Sequence, residues 1–120
     1  MKIALPVKPQ KEEYLLSPAF GKAKFFLIYD TETQEVKIVE NEHLSGRDVV
    51  NILSKEKVNV VITNHLGGGA YRHIIDCGMK AIYTESKNVP YKEVINQFLE
   101  GKLREFQPTD FMLTPHIAKK

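Results

Sequence analysis

The chain has 120 residues, the length of one compact domain, and 42% of them are hydrophobic, enough for a real core. Seventeen basic and fifteen acidic residues are well mixed and leave a formal charge of +2, which gives no case for nucleic-acid binding. A single cysteine excludes an intramolecular disulfide and a four-cysteine zinc site.

No apolar run approaches the roughly 20 residues of a membrane span. Lys2 is followed by Pro6, Lys8 and Pro9 rather than by the apolar core of a secretory signal, so a cytoplasmic protein is expected. Residues 2–7 read as a short strand, and Pro6, which cannot donate to a ladder, marks its end or an edge. Residues 8–16 hold no clear period and are predicted as a loop. Ser17-Pro18-Ala19-Phe20-Gly21 forms a turn with an aromatic in it. Residues 24–30 are a strong strand pattern, residues 31–34 a connection of hairpin length, and residues 35–40 a strand with Val36 and Ile38 on one face and the other face wet. A loop carrying His43 leads into a helix over 47–57. Its apolar set is Val49, Val50, Ile52 and Leu53, and its N-cap is Ser45.

The next stretch is the centre of the chain. Residues 58–63 form a strand, and Val60, Val61, Ile62 and Thr63 are all β-branched, which fits burial on both faces. Gly67, Gly68 and Gly69 follow and are predicted as a turn in which at least one φ is positive. A helix then runs from Ala70 through Tyr71, Ile74 and Ile75 to about Asp76, with Gly78 as the left-handed residue beyond its end. Strand, glycine turn and helix put free N–H groups and the positive end of a helix at the carboxyl end of a buried strand, a place that suits an anion. The alternative is a turn that only lets the helix pack closely on the sheet. Arg72 would add a cation. A P-loop is excluded because Ala70-Tyr71 stands where Lys-Ser or Lys-Thr is needed, and the dinucleotide fingerprint fails because Arg72 replaces its last glycine.

Residues 79–84 read as another buried strand. Pro90 suits the first turn of a third helix, with Asn88 as its cap, Val94, Ile95, Phe98 and Leu99 as its apolar face and Gly101 as its stop. The order βββαβαβα implies a mixed sheet with helices on both faces, in a domain over residues 1–102. Residues 103–120 carry Phe106, Phe111, Met112, Leu113 and Ile117, too apolar a set for a solvated tail. An extension packed on the body or on a second subunit is expected, in a monomer or a homodimer.

Candidate chemistry is sparse. His43 and His65 could meet at the rim where loops leave the carboxyl ends of parallel strands, and imidazole is a common metal ligand. His73 sits on the helix four residues past Gly69. No His-Glu-x-x-His motif occurs. Cys77 lies at the end of its helix, where the negative dipole disfavours a thiolate, and Ser17, Ser45, Ser54 and Ser86 lie in no nucleophile-elbow pattern. No carboxylate pair is suggested by spacing, so the expectation is a protein that is not an enzyme.

Four motifs occur in order: Met1-Lys2-Ile3-Ala4-Leu5-Pro6-Val7; the run from Phe20-Gly21-Lys22 to Ile28; Val60-Val61-Ile62 with Gly67-Gly68-Gly69-Ala70; and Cys77-Gly78-Met79-Lys80. Together they resemble the dinitrogenase iron–molybdenum cofactor biosynthesis domain over about residues 1–101. The resemblance implies a ribonuclease H-like three-layer α/β/α sandwich with a five-stranded mixed sheet. It implies a non-enzymatic binding or carrier protein for an iron–sulfur or iron–molybdenum type cluster, with cofactor-assembly proteins as possible partners. The binding set would be Gly67, Gly68, Gly69, Arg72, His65 and His43, with His43 and His65 as metal ligands. His43 matches a histidine often present in that loop of the family, whereas Ala19 stands where many members carry a histidine before the Phe-Gly pair. A ribonuclease H-like nuclease would need a carboxylate on its first strand, and Ile3-Ala4-Leu5 has none. The alternative function is a small phosphate- or nucleotide-binding regulatory module using the same glycine turn.

Overall fold

Alternation along the strands builds the two sides of the molecule. The computed structural model describes residues 1–111. The sheet is formed by β1 (Lys2–Gln10), β2 (Glu13–Leu16), β3 (Phe25–Asp30), β4 (Val36–Glu40), β5 (Val60–Thr63), β6 (Lys80–Tyr83) and β7 (Arg104–Glu105). Its order is β4-β3-β1-β5-β6-β7, with β2 paired to β1. β1, β5 and β6 run parallel, and the other pairings are antiparallel. Three helices, α1 (Gly46–Lys55), α2 (Gly68–Asp76) and α3 (Tyr91–Leu99), pack on its two faces. Ala4, Phe26, Ile28, Val61 and Ala81 meet Val49, Val50 and Leu53 of α1 and Ile74 of α2. Ile3, Leu5, Leu27, Val60, Ile62 and Ile82 meet Val94 and Ile95 of α3. β5 is buried along its whole length, as its four β-branched residues require.

Among the described residues the sheet has seven strands, not the expected five. Removing β2 and β7 from the observed order leaves βββαβαβα, so the two additions account for the whole difference. β2 lies inside the stretch expected as a loop. It forms because β1 runs on past residue 7 and offers Val7–Gln10 as a template for Glu13–Leu16. Pro6 does not end β1 but marks its change of partner. β5 pairs only with Ile3 and Ala4, β2 starts at Val7, and between them the Pro6 carbonyl accepts from Ser17 N–H at 2.9 Å. A missing N–H costs little at such a junction.

The three glycines are a second correction. α2 begins at Gly68, two residues earlier than expected, with Gly67 as its N-cap at φ −78° and ψ 158°. Gly67, Gly68 and Gly69 all have negative φ; positive-φ glycines are Gly78 (84°) and Gly101 (75°), each just past a helix end. Two glycines are tolerated here because the first-turn N–H groups of a helix have no intrahelical partner to lose. Ser45 caps α1 as expected, accepting from Asp48 N–H at 3.2 Å. At α3 the N-cap is Pro90 rather than Asn88, which adopts φ 61° in the preceding loop.

Beyond α3 the chain folds back over the α2 side. Arg104–Glu105 extends the sheet edge, Phe106 is buried, and a 3-10 turn (Pro108–Phe111) brings Phe111 over Tyr71, with ring centroids 4.7 Å apart. Phe106 and Phe111 are stacked at 5.7 Å, and Arg104 lies over the Tyr83 ring while bonding Asp110. Met112, Leu113 and Ile117 lie outside the described residues.

Candidate functional site

The loops that leave β5 and β2 and the start of α1 converge on one rim. After β5, the Thr63 hydroxyl donates to His65 O at 3.1 Å, and Asn64 Nδ2 donates to Thr84 O and Glu85 O. Leu66 is drawn into the core, which leaves His65 and Gly67 exposed on either side of it. From the other direction, Asn41 is fully buried and acts as a clamp. Its amide donates to Gly21 O at 2.9 Å and Ala23 O at 3.0 Å, while its oxygen accepts from Ser45 N–H at 3.3 Å. The loop holding Phe20 and Gly21 is thereby pressed against the start of α1. A Cβ on Gly21 would come within 3.1 Å of Gly46 N, so any larger residue would have to push the two segments a few tenths of an ångström apart.

Between these walls lies a cavity of about 580 Å³. It is lined by Gly21, Gly46, Gly67, Gly69 and Ala70, with Ala19, Phe20 and Leu44 as apolar wall. A sphere of that volume is about 10 Å across, within the range of small-molecule pockets. Among the described residues its titratable lining groups are Lys22, Arg47, His65 and His73, all basic. The N-termini of both α1 and α2 border it. α2 has no side-chain cap and no acidic residue in its first turn, and its first intrahelical bond is Tyr71 N–H to Gly67 O at 2.9 Å. The N–H groups of Gly68, Gly69 and Ala70 therefore have no intrahelical acceptor. A Cβ on Gly67 or Gly69 would meet nothing within 4 Å. Neither backbone conformation nor packing among the described residues requires glycine there. What the missing Cβ does is keep open the space in front of the N–H groups.

Of the residues named from sequence, Gly67, Gly69 and His65 line this cavity and three do not. Gly68 faces Phe111, whose Cβ lies 3.6 Å from where a glycine Cβ would sit. Arg72 is exposed and outside the lining because a helix beginning at Gly68 puts residues 69 and 73, not 72, on the cavity side. His43 is also outside it. Its side chain is 76% exposed and its Nδ1 pairs with Asp48 Oδ2 at 2.8 Å. The binding set expected from the sequence left out Gly21, Lys22, Gly46, Arg47 and His73, although Gly21 and Lys22 stand in a family motif and His73 was expected on the helix. Only His73 had a local signal, its spacing of four from Gly69. The others meet through tertiary contact. Among the described residues no group of three His, Cys, Asp or Glu is gathered to hold a metal ion. The donor set is N–H groups, two cations and imidazoles, which fits a negatively charged cargo better than a bare cation.

The architecture defines an α/β domain with a basic, glycine-lined cavity at the helix N-termini. The chain belongs to the dinitrogenase iron–molybdenum cofactor family, whose sequence pattern matches residues 1–101. It is 32% identical over 115 residues to an uncharacterized protein of Methanocaldococcus jannaschii, covering 89% of this chain and 92% of that one. Among solved structures it resembles a Thermotoga protein with a provisional NifB designation, at 32% identity and a TM-score of 0.72 over 87% of this chain and 91% of that one. The apo form of the orange protein of Desulfovibrio gigas shares the fold, with a TM-score of 0.77 at 22% identity over 88% and 96% of the two chains.

Proposed function

We propose that this protein is a non-enzymatic carrier for an anionic metal cluster, held in the cavity between the N-termini of α1 and α2. One observation carries the reading: among the described residues every titratable group lining a cavity of about 580 Å³ is basic, and an uncapped helix N-terminus opens into it. Membership of the iron–molybdenum cofactor family supports an iron–sulfur or iron–molybdenum type cargo. Cofactor-assembly proteins are then the partners, and the cytoplasm is the place of work. No helix among the described residues is long and apolar enough to cross a membrane. The three layers and mixed sheet support the ribonuclease H-like assignment. Glycine N–H groups, Lys22 and Arg47 provide the electrostatic hold, and His65 stands at the rim. The cavity is wider than a single phosphate needs, and among the described residues its one aromatic wall residue, Phe20, is only 2% exposed and offers a base little to stack on, which favours a cluster over a nucleotide.

The test is anaerobic titration of the full chain with tetrathiomolybdate, a soluble molybdenum–sulfur anion, followed by its visible absorption. Two cations contributing about 1 kcal/mol each make a Lys22→Ala, Arg47→Ala variant about thirtyfold weaker. Equal affinity in that variant, or no uptake by the wild type, sinks the reading. Thermal stabilisation by nucleotides without uptake of the molybdenum–sulfur anion would point instead to the phosphate-binding regulatory module.

A further inference from the structure

One imidazole of the cavity is tethered to the neighbouring helix. His73 and Gly69 both line the cavity, one helical turn apart on α2. Nε2 of His73 lies 2.7 Å from Oδ1 of Asn51 on α1. With the carboxamide oxygen on that side of the Asn51 amide, Nε2 is the donor and carries the proton. In the neutral ring the free lone pair is then on Nδ1. Metal-ligating histidines have this form: one ring nitrogen donates to an oxygen, which fixes tautomer and ring orientation, and the other binds the metal.

We infer that His73 Nδ1 ligates an iron atom of the bound cluster, with Asn51 as the positioning residue. The inference rests on the carrier reading above. Imidazole suits iron among the metals such a cargo holds. The Nδ1 lone pair forms the new bond, a terminal thiolate or water leaves that iron atom, no electron is transferred, and the Nε2 proton stays in place. The other two histidines among the described residues lack this arrangement. His65 is exposed, and its hydrogen bonds are made by its backbone. His43 uses Nδ1 on Asp48 and stands outside the cavity. One imidazole alone would hold a cation weakly, but beside Lys22 and Arg47 it adds a directional bond to an electrostatic hold.

The experiment uses the full chain labelled with ¹⁵N-histidine. Long-range ¹H–¹⁵N spectra of the ligand-free protein report the tautomer of His73, and Nε2–H is expected. A synthetic dianionic [4Fe–4S] cluster with exchangeable thiolates is then added anaerobically and reduced, and pulsed EPR reads ¹⁵N coupling to the cluster. Coupling is expected in the wild type and in His65→Ala and is expected to be lost in His73→Gln. Asn51→Leu, which keeps the imidazole and removes its orienting oxygen, lowers cluster affinity about tenfold to a hundredfold. An Nδ1–H tautomer in the free protein, or coupling that persists in His73→Gln, overturns the inference and leaves the carrier reading standing. Failure of the wild type to take up either this cluster or tetrathiomolybdate overturns both.

Discussion

Replacing Asn41 by alanine should destabilise the fold substantially, although the side chain lies behind the cavity wall and touches no cargo. The side chain is fully buried and makes three hydrogen bonds, to Gly21 O, Ala23 O and Ser45 N–H. Alanine strands all three partners. The bond to Ala23 is buried, and an unsatisfied buried group costs about 1–3 kcal/mol. The other two bonds are partly buried, so their partners regain some water, and each loss costs about 0.5–1 kcal/mol. The sum is about 2–5 kcal/mol. At roughly 4 °C per kcal/mol for a chain of this size, the melting temperature should fall by about 8–20 °C. Urea denaturation at neutral pH measures the free energy, and a thermal melt gives the shift. Asn41→Asp separates the bonding argument from simple packing. It keeps the acceptor for Ser45 N–H but sets a carboxylate against two carbonyl oxygens, so it should be at least as destabilising as alanine. A loss below about 0.5 kcal/mol for Asn41→Ala, or wild-type stability for Asn41→Asp, would refute the clamp.

Gly69→Ala should behave in the opposite way. Its φ is negative and its Cβ would enter open space, so alanine should stabilise the fold by about 0.4–1 kcal/mol while weakening tetrathiomolybdate binding, a split read by melt and titration together. Phe111→Ala should cost about 1–2 kcal/mol through its stacking on Tyr71 and Phe106, and a melt within 1 kcal/mol of wild type would show that this strap adds little. The Asp110 carboxyl is held below its ordinary value of 3.8, chiefly by the Gln107 N–H and then by Arg104. Because the folded pKa is depressed, its contribution is fully present above that ordinary value and is lost as pH falls through the folded one. NMR titration of Asp110 should therefore give a midpoint below 3.8, and Arg104→Ala should raise it.

Elements governed by their own residues were legible in the sequence. Four β-branched residues marked β5, Ser45 marked the start of α1, and Gly78 marked the end of α2, each through chemistry within a few residues. β2 and β7 were not, because Glu13–Leu16 and Arg104–Glu105 become strands by being seated on β1 and β6. Their own composition carries no period. The site divides in the same way. The glycine run pointed to the rim of β5, but a two-residue error in the start of α2 moved attention from His73 to Arg72. Gly21, Lys22, Gly46 and Arg47 join the cavity only because Asn41 draws two distant segments together. That contact has no counterpart in local spacing.

The central claim is that an anionic cargo occupies the cavity between two helix N-termini. Amide NMR of the full chain during titration with tetrathiomolybdate tests it most directly, since each N–H reports its own environment. The account predicts the largest, saturable shifts at the N–H groups of Gly46, Arg47, Gly68, Gly69 and Ala70, residues at the starts of α1 and α2. Saturable shifts centred elsewhere, with these five amides unmoved, would contradict it.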